Sequence, residues 1–338
     1  MTLHDFIRAM PKVELHVHLQ GSTRPETLLK LAQRNNIPLP SDTVEGIREW
    51  YTFRDFPHFV EIYGIICRCI QSPDDIELLG REFLEGQAAQ NIRYTELTYT
   101  PPRYLPFDEQ LDALNRARAW GEAALGVTMN YIVDIPRESE VEVGNLIADW
   151  AISGMGKGVI ALGLGGPEVD NPPEKYPEAY AKIKAAGLIS IPHAGETVGP
   201  ESIWSALKFA NPVRLGHGVR CLEDPVLVEE LRQRQIPLEV CPTSNVCLKV
   251  VDTLENHPLP RLIEAGLYVT INSDDPPMFN TTLTEEYMRC ADTFGFDAAR
   301  IEQFVMDALR VTILPADQKA QLANAYQAEF ADLRTRYL

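Results

Sequence analysis

The stretch Val13–Leu19, "VELHVHL", is a short apolar, β-branched run that carries two histidines at alternate positions and gives way to "QGS" at 20–22. Successive side chains of a β-strand point to opposite faces, so His16 and His18, two apart, project to the same side. Only seven histidines occur in the 338 residues. Two of them at one strand end suit a divalent metal, but two ligands do not complete a site. The others must come from elsewhere in the chain.

Seven more short apolar runs follow: "IRYTELTY" (92–99), "TMNYIVDI" (128–135), "GVIALGLG" (158–165), "LISIPHAG" (188–195), "VRLGHG" (213–218), "IPLEVCP" (236–242) and "LYVTINSDD" (267–275). Amphipathic stretches such as "PFDEQLDALNRARAWGEAALG" and "DPVLVEELRQRQ", with apolar residues three and four apart, lie between them. Strand alternating with helix eight times predicts a (β/α)8 TIM barrel, with residues 1–338 as a single catalytic domain. A doubly wound open sheet would more often carry a GxGxxG turn after its first strand, and "HLQGS" is not one. The first connection, residues 25 to 90, is much longer than the rest and holds helical patterns around the aromatic-rich "WYTFRDFPHFVEIYGII". A helical insertion there overhangs the C-terminal mouth of a barrel, as a lid or as added packing.

Bulk composition narrows the partners. A hydrophobic fraction of 45% and a charged fraction of 23% describe an ordinary globular chain with a large core. Net charge is −17, with no basic run to neutralise phosphates, so nucleic acid and anionic membranes are excluded as partners and a small molecule is expected. The six cysteines are scattered without a CxxC pair and read as free thiols of a reducing compartment. No stretch approaches the ~20 apolar residues of a membrane span, and "MTLHDFIRAM" lacks the features of a secretion signal. A cytoplasmic location is expected.

Functional groups of a barrel sit at the C-terminal ends of its strands. The polar residues of this chain fall there: His16 and His18 on the first run, His193 and Glu196 in "PHAGE", His217 in "GHG", and Asp274 and Asp275 in "NSDDP". His4, His58 and His257 lie in helical or loop segments and read as surface or packing residues. Histidines with a carboxylate suit Zn²⁺ or a similar divalent ion, which lowers the pKa of a bound water toward ~7. That is the equipment of a hydrolase.

The segments "HVH" (16–18), "HAGE" (193–196), "GHG" (216–218) and "SDDP" (273–276), in this order over nearly the whole chain, resemble the adenosine deaminase family of metal-dependent amidohydrolases. The resemblance implies hydrolysis of a 6-aminopurine nucleoside to its 6-oxo product and ammonia. It implies His16, His18, His193 and Asp274 as ligands of one Zn²⁺ per chain and Glu196 as proton donor to purine N1. It further implies His217 as the group that orients or deprotonates the zinc water, Asp275 as partner of N7, and His18, Gln20, Gly163 and Gly166 beside the substrate, with the Gly166 N–H toward N3. Attack at C6 builds charge on N1, so an acid placed there must stay protonated at neutral pH, as burial can arrange. Asp274 and Asp275 are adjacent, and on an extended backbone one faces the metal and the other the base. The cysteine-ligated zinc deaminases of nucleic-acid bases, with HxE and PCxxC, are a different class, and Cys241 and Cys247 are too far apart for that motif.

Two departures from the family pattern concern the substrate. Members active on adenosine commonly carry Asp after HxHL and "DLAG" at the end of the fourth strand; here the residues are Gln20 and "GLGG", Gly163–Gly166. Both changes are expected to remove a carboxylate and open the sugar end of the pocket. The stretches "GGPE", "PHAGETVGPESIW", "EVCPTSN" and "INSDDPPMF" resemble the branch that deaminates 6-amino-6-deoxyfutalosine, a nucleoside with a large aromatic 5′ substituent. Adenine deamination is the other alternative. A binding protein that had lost catalysis should lack a ligand or the glutamate of "HAGE", and neither is missing. A two-metal hydrolase bridged by a carbamylated lysine would need that lysine in the fourth run, "GVIALGLG", which has none.

Overall fold

All eight apolar runs are strands in the computed structural model, which describes residues 2–338. They are β1 (Lys12–His18), β2 (Ile92–Tyr99), β3 (Thr128–Pro136), β4 (Val159–Gly165), β5 (Ile189–Ala194), β6 (Leu215–His217), β7 (Leu238–Val240) and β8 (Val269–Ile271). Each pairs in parallel with the next, in chain order, and helices cover the outside, so the architecture is the (β/α)8 barrel. Both faces of such strands are covered, which is why they read as continuous apolar runs. Among the described residues no helix is long and apolar enough to cross a membrane.

The barrel closes between β8 and β1 without a regular ladder. One parallel bridge joins Val17 to Asp274, through His18 N–H to Asp274 O at 2.9 Å and Asp274 N–H to His16 O at 3.1 Å. Below it the Asn272 side-chain oxygen accepts from the N–H groups of Leu15 and His16 at 3.1 and 3.2 Å. A side-chain amide here replaces the carbonyl a longer strand would present.

Strands β6 to β8 are shorter than their apolar runs. The chain turns out of the ladder in the left-handed region at His217 (φ 60°) and at Asp274, just past β8 (φ 65°). Non-glycine residues pay ~1–3 kcal/mol for that conformation, and such outliers concentrate at functional sites. Asp274 and Asp275 therefore diverge through a left-handed kink, and not through the extended backbone that their adjacency suggests.

The insertion after β1 comprises helices Pro25–Asn35, Val44–Trp50 and Phe56–Cys69, ahead of the barrel helix Pro73–Ala89. Phe56–Cys69 begins where the Asp55 side chain accepts from the His58 N–H and Pro57 occupies the first turn. Its inner stripe is Phe59, Ile62, Ile66 and Cys69, at helical spacing. Phe59 packs against Phe53 and Phe279, with ring centroids 5.4 and 5.5 Å apart, which pins the helix to the rim beside the short helix Pro276–Phe279.

Ion pairs are buried in the barrel wall. Arg214 donates through Nε to Glu239 (2.6 Å), through Nη2 to Glu96, and through Nη1 to the Val311 carbonyl (2.7 Å), with all three charged side chains at most 1% exposed. Removing Arg214 would leave two buried carboxylates without their guanidinium, held only by His16 on Glu239 and by the Tyr94 hydroxyl and the Ile313 N–H on Glu96. Arg214→Leu should lower stability by about 3–5 kcal/mol, read as a lower urea midpoint at unchanged slope.

Candidate active site

The strand ends bring the predicted polar residues together at the C-terminal mouth of the barrel. His16 and His18 arrive on β1, His193 on β5, His217 on β6 and Asp274 from the turn after β8, all buried. His18 Nε2 stands 3.2 Å from His193 Nε2, and Asp274 Oδ1 stands 3.2 Å from His18 Nε2 and 3.4 Å from His16 Nε2. A tetrahedral ion with bonds of ~2.0–2.1 Å separates its donor atoms by about 3.3 Å. His16 Nε2 has no hydrogen-bond partner, as expected of an atom reserved for a ligand. These four residues fit a divalent ion. His217 belongs to the same cluster: its ligand atom lies within 4.8 Å of those of His16, His193 and Asp274, and its Nε2 stands 3.7 Å from Glu196 Oε1 and 4.0 Å from Asp274 Oδ2.

Electrostatics divide the histidines. Burial opposes charge on His16, but Asp274 and Glu239 outweigh it and raise the imidazole to about 10. An ion held at Nε2 would take the place of that proton. Burial holds His18, His193 and His217 below the ordinary value, the last at about 4, and keeps them neutral. His16 Nδ1 donates to Glu239 at 2.9 Å, and Glu239 is held in turn by Arg214. The strand spacing did not single out Glu239; the signal was an acid embedded in the apolar run "IPLEVCP".

The carboxylates divide as well. Burial would raise Asp274, but the His16 and His18 imidazoles beside it hold it far below the usual carboxylate range. Glu196 is pushed well above that range by burial first, then by Asp274 and Glu168. Asp275 is raised by burial and by Asp274. Glu196 Oε1 and Asp275 Oδ1 both lack hydrogen-bond partners. Gly21 provides the space for Asp275, since a Cβ there would run into its carboxyl group.

Two supports were not visible as site residues in the sequence. Glu168, buried just past β4, accepts from the N–H groups of Gly195 (2.8 Å), Glu196 (3.0 Å), Thr197 (2.6 Å) and Val198 (2.9 Å) and from the Ser202 hydroxyl (2.6 Å). It clamps the loop that carries Glu196. The second is a chain behind His217. Leu259 N–H donates to His257 Nδ1 at 3.0 Å, so the His257 ring proton lies on Nε2 and is donated to Asn245 Oδ1 at 3.1 Å. The Asn245 Nδ2 then faces His217 Nδ1 at 3.5 Å. His257, read as a surface or packing residue, is buried in this chain of contacts.

A cavity of about 590 Å³ opens outward from this centre, lined by Glu196, His217, Asp274 and Asp275 within, by Asp134, Gly165 and Gly166 at one side, and by Phe56, Phe59, Val60 and Tyr63 of the inserted helix. The insertion is thus a wall of the cavity. Gly166 has φ of 101°, a conformation that favours glycine.

The two departures behave differently from expectation. Gly163 does not line the cavity, and no room is opened there: a Cβ on it would meet Asp134 Oδ1 at 2.5 Å, and a Cβ on Gly165 would also run into that carboxyl group. The volume belongs to Asp134 of β3, so a carboxyl group is still present. Gln20 lines the cavity but does not offer its amide to it. Its Nε2 donates to the Thr100 carbonyl at 2.7 Å, and its Oε1 accepts from the Tyr63 hydroxyl at 3.4 Å. It braces the end of β1 to the end of β2 and the inserted helix.

The family model for adenosine deaminase matches residues 11–328. The chain belongs to the adenosine deaminase family. It is 39% identical over 329 residues to an aminodeoxyfutalosine deaminase of Streptomyces coelicolor, covering 95% of this chain and 85% of that protein. It is 36% identical over 324 residues to an adenine deaminase of Crocosphaera subtropica, covering 95% and 99%. The solved structure of a zinc-bound amidohydrolase of Burkholderia ambifaria superposes with a TM-score of 0.89 at 27% identity, covering 98% of this chain and 94% of that one. As a member of the adenosine deaminase family, the chain is a metal-dependent hydrolase of a purine amino group.

The Glu168 clamp can be measured. Burial would raise this glutamate, but Arg137, Ser202 and the backbone N–H groups hold it below its ordinary 4.5. A group with a depressed folded pKa contributes its stability above the unfolded value and loses it as pH falls through the folded one. Glu168→Gln turns an amide NH2 toward backbone donors and should cost about 1.5–3 kcal/mol at pH 7. The gap to wild type, followed by denaturant titration, should narrow as the pH drops below 4.5.

Proposed function

We propose that the protein hydrolyses the 6-amino group of a purine nucleoside bearing a bulky 5′ substituent, of the aminodeoxyfutalosine type, releasing ammonia and the 6-oxo product, with Zn²⁺ as its ion. The observation that carries this reading is the reach of the cavity. Its 590 Å³ extends from Glu196 to the aromatic inserted helix and to Arg103 and Tyr104. Cavities of ~300–1,000 Å³ suit drug-sized ligands. A free purine would occupy only the inner end. The name of the Streptomyces coelicolor relative supports the same substrate, and the zinc in the Burkholderia ambifaria protein supports the ion. Adenine deamination is the second reading, favoured by the Crocosphaera subtropica relative.

A divalent ion held by His16, His18, His193 and Asp274 supplies Lewis acidity and an activated water at neutral pH. The chain's own groups do the rest. Glu196, kept protonated by burial, donates to N1 as C6 becomes tetrahedral and the ring nitrogen gains electron density. Asp275, also raised, donates its acid proton as a hydrogen bond to N7. His217 is neutral, and the Asn245 amide facing Nδ1 leaves its proton on Nε2. It therefore orients by donating and does not act as the base. The Gly166 N–H serves N3.

Glu196→Gln keeps the shape but has no acidic proton. The variant should retain one metal per chain by elemental analysis and lose ~10²–10⁴-fold in kcat. Near-normal turnover would assign the donor elsewhere. Ammonia release should be compared for adenine, adenosine, 5′-methylthioadenosine and aminodeoxyfutalosine. We expect the highest kcat/KM for the last, and a preference for adenine would favour the second reading.

A further inference from the structure

His193 turns Nε2 toward His18, while its other ring nitrogen, Nδ1, is buried with no hydrogen-bond partner. A metal-binding imidazole ordinarily donates its second N–H to a carboxylate, a carbonyl or a water, which fixes the ring and its tautomer. His16 does this with Glu239. His193 has no such partner among the described residues.

A second orphan shares the same cavity. Asp134 of β3 is 3% exposed, and its Oδ1 has no hydrogen-bond partner either. The strand register relates the two. Asp134 pairs with Gly163, and Leu164 pairs with Pro192, so the next residue along β4, Gly165, lies level with His193. A Cβ on Gly163 or on Gly165 would collide with Asp134 oxygens. The carboxyl group therefore stands in the slot that a β4 side chain beside His193 would fill. The two groups are not directly bonded, and a buried water that binds two polar groups fits such a pair.

We propose that Asp134 is a positioning residue for the metal centre, taking the His193 Nδ1–H through one water and so holding Nε2 toward the ion. The carboxyl group that adenosine-active relatives carry on the fourth strand is supplied here from the third, and the glycines at 163 and 165 admit it. An acceptor at this place fixes the ring plane and raises the donor strength of Nε2.

The test is Zn²⁺ affinity, measured on metal-stripped protein by competition with a chromophoric chelator. Asp134→Ala should weaken Zn²⁺ binding ~10–100-fold. The isosteric Asp134→Asn, which protects against a folding defect, should weaken it less, because an amide oxygen still accepts. The double variant Asp134→Gly, Gly163→Asp returns the carboxyl group to β4 and should recover most of the affinity. Unchanged Zn²⁺ affinity in both single variants would overturn the proposal, as would a defect confined to the KM of the purine substrate, which would make Asp134 a substrate contact. The proposal rests on the divalent-ion reading of the site. A wild-type protein that takes up no Zn²⁺ would overturn that reading, whereas wild-type uptake with unaltered variants overturns this proposal alone.

Discussion

Closure of the barrel at the seam between β8 and β1 is the constraint on which the site depends. The seam is held by one backbone bridge, the borrowed Asn272 amide and the Ser273 hydroxyl donating to Glu14, and Asp274 is part of both the backbone closure and the polar cluster. Its backbone hydrogen bonds to His16 and His18 set where its side chain stands, between the two imidazoles. The ends of a long chain must therefore find each other before any ligand set exists. The left-handed turn at Asp274 is tolerated because bonds on both sides hold it.

Within that frame, burial gives similar groups opposite protonation. Asp274, set against two imidazoles, is ionised, while its neighbour Asp275 and nearby Glu196, where burial outweighs the pull of the cations, are kept as acids. Like charges so close cannot all ionise in a site shielded from water. The arginines are placed outside this ring: Arg214 behind Glu239, and Arg137 donating to the His193 carbonyl at 2.5 Å. They hold the supporting carboxylates Glu168 and Glu239 ionised.

The strands were legible because each is buried on both faces and so reads as an unbroken apolar run. The site was legible because histidines and acids interrupt those runs at their ends. What pairwise spacing could not show was which side chain fills which volume. Gly163 suggested an opening only because Asp134, distant in sequence, is invisible from "GLGG"; once β3 and β4 are paired, the glycine is the consequence of the aspartate. Gln20 read as a substrate contact because its commitment to Thr100 depends on the pairing of β1 with β2. Glu168, Asn245 and His257 act through loops and through one another, so no periodicity marks them.

The inserted helix Phe56–Cys69 sits on the rim and contributes to the cavity while carrying none of the ionisable groups gathered at the strand ends. The ionisable cluster and the aromatic wall of the cavity are thus contributed by separate segments of the chain. Side chains of the rim segment can therefore change the shape of the cavity without touching the ionisable cluster.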